Sequence, residues 1–355
     1  MRVLDRYILR ELLRNFLFSL LFFTILLLVV RFSEKEMGKF ISRNMSVSSS
    51  IFSLALQTPG FVIQVAPPSV LFAIFFSLGR MAQNNEITAM KSAGISLYRV
   101  FQPVLIAAFL IALFMIVFND RVATWANGRD AELKESGSRR SDIATNVVFA
   151  GSGGRVFHIN LIMFNNRAMQ NVTIHEFGED NNVQREIFAS QVSWEGQSWR
   201  LTRGIVRTFN GDSWEEEPYA RKELIVPEDP EFMVKSMRDL KEMSFFEMRE
   251  LIKHKKQAGQ PVRKDRVSLH DKISFPFACF IMALLGAPLF MIFGRSGMAV
   301  GFLLTMFTSF LYWGIAIAVF EAFGNNGKLP PMLACWAANF IFAAVGIGLV
   351  YKVKK

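Results

Sequence analysis

Apolar and polar positions fall in blocks along this chain. Six apolar runs, roughly Phe16 to Val30, Phe61 to Leu78, Val100 to Phe118, Ile273 to Phe293, Met298 to Phe320 and Met332 to Tyr351, lie three on each side of a polar stretch of 153 residues, Asn119 to Asp271. Most approach the ~20 residues a helix needs to cross ~30 Å of hydrocarbon. Inside lipid every backbone group must be bonded internally, so the runs predict six transmembrane helices. The first run is short, since fifteen residues reach only about 22 Å. It must recruit Leu12, Leu13 and Phe32, with Arg14 and Arg31 snorkelling to the two surfaces. It does not read as a cleaved signal, because no small-x-small site follows Val30 and five more runs come after it. Pro67 and Pro68 predict a kink in the second span, as a hinge or as a static bend.

The insert changes period. From about Asn146 to Val226 short segments such as Arg155-Val156-Phe157-His158-Ile159 alternate apolar and polar residues and are separated by Gly, Asn and Asp turns. Trp194 to Trp199 reads as a hairpin turn. Strands at this spacing imply an antiparallel sandwich or jellyroll. Ser244-Phe245-Phe246-Glu247 is a capping-box pattern that opens an amphipathic helix to about Gln257, with Gly259 as its stop. The expected fold is thus an α-helical integral membrane protein with six spans and an inserted all-β, jellyroll-like domain. Residues 1–118 hold the first three spans, 119–243 the β domain, 244–271 the connecting helix and 272–355 the last three spans.

Charge supplies the orientation. In the short loops one side carries Arg2, Arg6, Arg10, Arg14, Arg80, Lys91, Arg99, Arg295, Lys352, Lys354 and Lys355; the other carries Arg31, Lys35, Lys39, Arg43 and Lys328. This bias places both termini in the cytoplasm and the insert outside. The net charge of +10 sits at helix ends, beside lipid headgroups, and does not point to nucleic acid.

Catalytic patterns are missing. Gly324-Asn325-Asn326-Gly327-Lys328 lacks the spacing of a phosphate-binding loop and the Ser or Thr that follows one. The four histidines, His158, His175, His254 and His270, show no metal-ligand spacing. No Gly-x-Ser-x-Gly elbow occurs. The interiors of the runs hold no acidic residue for a proton relay, and Cys279 and Cys335 read as apolar packing residues. No catalytic, metal or cofactor site is expected in this chain, so any energy it uses must come from elsewhere.

Two segments carry candidate function. The link between the second and third spans, near 84–94, can form a short helix with Asn84 or Asn85 as cap, Glu86 at its positive end, Gly94 as its stop, and Ile87 and Met90 facing one way. After the first span, Arg31, Lys35, Lys39 and Arg43 recur every four residues, a basic stripe if the helix continues. Membrane anchoring alone would also account for that stripe. The Phe-rich faces of the first and fifth spans suit either helix packing or acyl-chain contact.

At these residues the chain resembles the LptF/LptG family, the membrane subunits of the lipopolysaccharide exporter. The likeness runs through Leu4-Asp5-Arg6-Tyr7-Ile8, Gly79-Arg80, Asn85-Glu86-Ile87, Ala89-Met90, Ala93-Gly94-Ile95-Ser96, Lys272-Ile273, Pro276 and Lys328-Leu329-Pro330-Pro331 with Trp336 and Asn339. It covers nearly the whole chain, and the opening Val3 to Tyr7 leans toward the G partner. The resemblance implies a bacterial inner-membrane permease subunit that extracts lipopolysaccharide and passes it to a periplasmic bridge. It further implies pairing with a paralogous LptF/LptG subunit, ATP bound and hydrolysed by a separate LptB dimer, and transfer to LptC and LptA-type jellyroll proteins. Asn85, Glu86, Ile87, Met90 and Gly94 would then form the coupling helix seated in the ATPase. Arg31, Lys35 and Lys39 would meet lipid A phosphates, and the first and fifth spans would line the lipid cavity. The alternative is a non-transporting module of the MacB or FtsX kind, disfavoured by six spans.

Overall fold

The computed structural model describes residues 3–32, 47–136, 143–151, 154–163, 168–178, 182–196, 198–210, 213–225, 238–257, 260–293 and 298–353. The chain divides into two compact units, Met1–Asp130 with Arg263–Lys355, and Ala131–Val262.

The first unit holds the six expected spans: α1 (Val3–Arg31), α2 (Val47–Gln83), α4 (Leu97–Phe118), α7 (Arg263–Phe293), α8 (Met298–Trp313, continued by the π-helical segment Gly314–Glu321 and a last helical turn to Asn325) and α9 (Pro331–Val353), with the link helix α3 (Glu86–Ser92) between α2 and α4. α2 is the central post, buried along most of its length and packed by α1, α7 and α8. Leu71, Ile74 and Leu78 of α2, Val104 and Ala108 of α4, and Cys279, Met282 and Ala283 of α7 are sealed in one apolar core. Because lipid is as apolar as these side chains, buried polar contacts add the specificity that hydrophobicity cannot. Asn15 Nδ2 donates to Ser77 Oγ at 2.8 Å and ties α1 to α2. Tyr312 Oη donates to Asn339 Oδ1 at 2.9 Å, and Asn339 Nδ2 donates to the Ser274 carbonyl at 2.9 Å, joining α8, α9 and α7. Cys279 packs in the core as expected, whereas Cys335 also donates its thiol to the Val267 carbonyl at 3.2 Å.

Several helices outrun the sequence reading. α2 stays helical through Pro59, Pro67 and Pro68, so the proline pair does not interrupt the span. Polar contacts flank the pair: Ser69 Oγ donates to the Val65 carbonyl at 2.6 Å, and Ser19 Oγ of α1 donates to the Ser69 carbonyl at 3.0 Å. α4 does not stop at the polar boundary but passes through a π-helical turn, Asn119–Ala123, into α5 (Thr124–Ser136). α7 starts at Arg263, nine residues before the expected 272. The extensions hold each other. Lys272, nearly buried, donates to Thr124 Oγ1 at 3.0 Å and lies 3.6 Å from Asp120, while Asn119 Nδ2 donates to the Lys272 carbonyl at 3.2 Å. The helical unit therefore continues to Asp130 and resumes at Arg263, where sequence placed its limits at 118 and 272.

The second unit contains one antiparallel sheet with strands in chain order, β1 (Ile143–Ala150), β2 (Arg155–Met163), β3 (Ala168–Phe177), β4 (Val183–Trp194), β5 (Trp199–Asn210) and β6 (Ser213–Leu224). Asn146, Asn160, Asn171, Ser190, Arg203 and Ala220 stand at one level across all six strands, and the pairing skips them in every ladder. Asn146, Asn171 and Arg203 have φ near +54°, +50° and +52°. The buried positions change parity at this row: Phe157 and Ile159 before it and Ile162 after it on β2, Ile187 and Ala189 before it and Val192 after it on β4. Residues from both sides join one core, so β2 to β6 change facing at the row and feed that core from both sides of it. This crease gives a single sheet its jellyroll-like interior. The asparagines that read as turns thus lie within strands, where a short polar side chain tolerates the left-handed conformation.

Trp194 and Trp199 pair across the expected hairpin with their rings 5.0 Å apart. On β5, Gly204 leaves room for Tyr219 of β6 to cross and donate to the Phe188 carbonyl of β4 at 2.8 Å. Burial pushes the Tyr219 hydroxyl up to about 12. The capping box opens α6 (Phe245–Gln257): Ser244 N donates to Glu247 Oε2 at 2.7 Å and Glu247 N to Ser244 Oγ at 3.3 Å. Gly259 lies outside the described residues.

Candidate functional site

The link between α2 and α4 is built by a short helix with two different ends. At its start Asn85 takes the left-handed conformation, φ 58°, and its side chain makes no capping bond; its carbonyl instead accepts from Ala89 N at 2.9 Å. The side-chain cap expected at Asn85 is therefore absent. Glu86 is held by two donors, Tyr7 Oη of α1 at 2.9 Å and Asn84 Nδ2 at 3.2 Å. At its end Ile95 N donates to the Met90 carbonyl at 2.9 Å and Gly94 N to the Lys91 carbonyl at 3.0 Å, with Gly94 at φ +76°. This is a Schellman stop, and it requires glycine's freedom at Gly94.

Burial decides which face is which. Ile87 is 8% exposed and belongs to the core of the helical unit, with Met90 packed against it. Ile87 therefore anchors α3 to the bundle, a correction to its reading as a contact offered to a partner, with Met90 half-buried beside it. The outward face consists of Thr88, Ala89, Lys91 and Ser92. Sequence reading missed Thr88 and Ala89, although two large apolar residues three apart mark the inward side of any short amphipathic helix. Small residues on the outward side admit close approach.

At the other end of α1, Arg31 is the last residue of the helix and partly exposed. Lys35, Lys39 and Arg43 lie outside the described residues. The aromatic faces of the first and fifth spans divide. Phe16 and Phe23 are buried, and the Phe23 ring meets Phe72 of α2 at 5.8 Å and Phe302 of α8 at 6.4 Å. Phe18 and Phe22 on α1, and Phe307 and Phe310 on α8, point out of the fold with Leu17, Leu21, Ile25 and Leu303. α1 and α8 thus pack on the same post, touch through Phe23 and Phe302, and expose a broad apolar surface.

The histidines are less scattered than the sequence suggests, since the rings of His158 and His175 meet at 5.3 Å on neighbouring strands. Among the described residues no three His, Cys, Asp or Glu side chains converge as metal ligands.

A span order of three plus three, a creased sheet between the halves and a capped link helix form one architecture, and known sequences identify it. The family described as lipopolysaccharide export system permease LptF/LptG matches residues 6–352. The chain belongs to the LptF/LptG family. It is 21% identical over 98% of its length to lipopolysaccharide export system permease protein LptF of Escherichia coli K12, covering 94% of that protein. The proteins of the same description from Escherichia coli O157:H7 and Shigella flexneri match equally. As a family member the chain is a permease subunit of the lipopolysaccharide export system, a membrane transporter component and not a catalyst. The MacB or FtsX alternative is not favoured. The lean to the G partner has no confirmation in these relatives, all of which carry the LptF name.

Proposed function

We propose that this LptF/LptG-family chain is one of two paired subunits in the bacterial inner membrane, with both termini cytoplasmic and the sheet domain periplasmic. The pair takes lipopolysaccharide from the outer leaflet into a cavity faced by α1 and α8. A separate LptB-type ATPase dimer binds and hydrolyses ATP, seats α3 by Thr88, Ala89 and Glu86, and drives expulsion of the lipid. This chain holds no cofactor. The sheet domain passes the lipid to LptC and LptA-type proteins. Edge strand β1 supports such a handover, because its eight residues carry no charge, whereas the opposite edge, β6, is guarded by Glu215, Glu216, Glu217 and Pro218.

The observation that carries this reading is the joined apolar surface of α1 and α8 with a basic end at Arg31. Lipid A carries phosphates above several acyl chains. Greasy walls below a cationic rim complement that amphiphile, with Lys35 and Lys39 following Arg31 in sequence, each contact near the surface contributing on the order of 1 kcal/mol. The test is purification of the native complex with identification of its bound lipid and partners, beside a variant in which Arg31, Lys35 and Lys39 are all replaced by Glu. The variant is expected to assemble and to lose lipopolysaccharide. Unchanged lipid retention and export would reduce the three residues to membrane anchors.

A further inference from the structure

A second apolar recess lies away from α1 and α8. Behind the Gly94 turn, the end of α3 and the adjoining parts of α4, α7 and α9 enclose a pocket of about 400 Å³, within the range of small-ligand sites. Its shaft is walled by Phe101, Leu105, Leu284, Ala287, Pro288 and Met291, and its mouth carries Lys91, Ser96 and Tyr98. Tyr98 Oη reaches the Val350 carbonyl at 3.5 Å and closes one side. Along α4 the seven-residue step from Tyr98 to Leu105 carries the shaft about 10 Å toward the hydrocarbon. Among the described residues no acidic side chain lines it, and Lys91 is exposed at the opening. The mouth also meets the start of α4, where helix polarity adds positive potential.

We propose that this pocket takes one acyl chain of an anionic phospholipid, with the lipid phosphate held by Lys91. The occupant is fixed by charge and place. A greasy shaft open at a helix-end loop faces the bilayer's own lipids first, and the Lys91 charge at the mouth favours an anionic headgroup over a zwitterionic one. Among the described residues α1 and α8 contribute no wall, so the pocket is separate from the proposed export cavity. Assigning it to the cytoplasmic leaflet rests on the orientation proposed above; its chemistry does not.

The test uses the full chain in nanodiscs, where both leaflets are accessible and orientation plays no part. The discs contain phosphatidylcholine doped with phosphatidylglycerol bearing a photoreactive acyl chain, and adducts are mapped by mass spectrometry. Adducts are expected on the segments around Phe101 to Leu105 and Leu284 to Met291. Lys91→Glu, at an exposed site, is expected to lower that labelling about fivefold or more, without changing labelling by phosphatidylcholine with the same chain. Ala287→Trp, which fills the shaft, is expected to abolish both. Phosphatidylglycerol labelling unchanged in Lys91→Glu overturns the proposal, and decides it alone should Ala287→Trp fail to fold. Loss of labelling when a co-purified ATPase is present also overturns it, because the pocket is then a protein seat.

Discussion

Glu86→Lys probes the link most directly, because the carboxylate it reverses is held from two sides. One oxygen accepts from Tyr7 at 2.9 Å and the other from Asn84 at 3.2 Å, at the first position of α3. Exposed contacts of this kind contribute about 0–1 kcal/mol each. The helix itself should therefore survive, since buried Ile87 and the Gly94 turn remain in place. A charge-assisted contact to the ATPase contributes more, about 1.5 to 3 kcal/mol when well formed, or roughly ten- to 150-fold in affinity. ATPase association, ATP turnover and lipid release are measured in the complex reconstituted with its native ATPase. Glu86→Lys is expected to lower association by that factor and to abolish release, and Glu86→Gln to fall between. Tyr7→Phe removes only the internal contact, so association should persist while release per ATP falls. Normal association and normal release in Glu86→Lys would refute the assignment and leave α3 a plain surface helix.

Four further outcomes are expected. Tyr312→Phe leaves Asn339 Oδ1 without its donor in the core and should cost about 0.6 to 2 kcal/mol, read as a lower thermal midpoint in detergent; an unchanged midpoint would show that the bond adds nothing to bundle stability. Gly204→Val drives a side chain into the Phe188 carbonyl and the Tyr219 ring, and should make the sheet domain protease-sensitive where Tyr219→Phe costs only about 1 kcal/mol. Because burial raises Tyr219 from 10.0 to about 12, its contribution is complete below pH 10 and lost as pH rises through about 12, so alkaline proteolysis should be steeper in wild type than in Tyr219→Phe. Glu215→Cys, exposed on β6, should react with an impermeant thiol reagent in intact spheroplasts while Asn84→Cys does not; both native cysteines are buried, and the reverse pattern would invert the topology.

Span number was legible because an apolar run long enough for the bilayer admits only a helix. Span length was not. The polarity that ended the third run at Phe118 belongs to residues bonded across to the fourth: Asp120 and Thr124 meet Lys272, and Asn119 meets its carbonyl. Such partners are 148 to 153 positions apart, beyond any local window. The same limit hid the crease. Asn146 and Asn171 look like turn residues because turns are where the left-handed conformation commonly occurs, yet here it occurs within strands at a row defined only by their pairing.

The link shows which part of a site local chemistry can fix. Residue type set its ends, since an acid after an asparagine pair favours a helix start and glycine a stop. Its facing was left open, because a seven-residue helix offers barely two turns of pattern, and an apolar pair can face a core or a partner. Packing resolved it by burying Ile87 and leaving Thr88 and Ala89 outside. The Tyr7 contact lay beyond sequence altogether, 79 positions away. That contact gives Glu86 a physical connection to α1, a continuous helix whose other end is Arg31. At 1.5 Å per residue α1 spans about 43 Å, so a displacement of its Tyr7 end relative to α2 changes the surface it shares with α8 along its whole length. A link that only anchored the loop would need Ile87 and Gly94 but not Tyr7, which is why release per ATP in Tyr7→Phe separates a lever from an anchor.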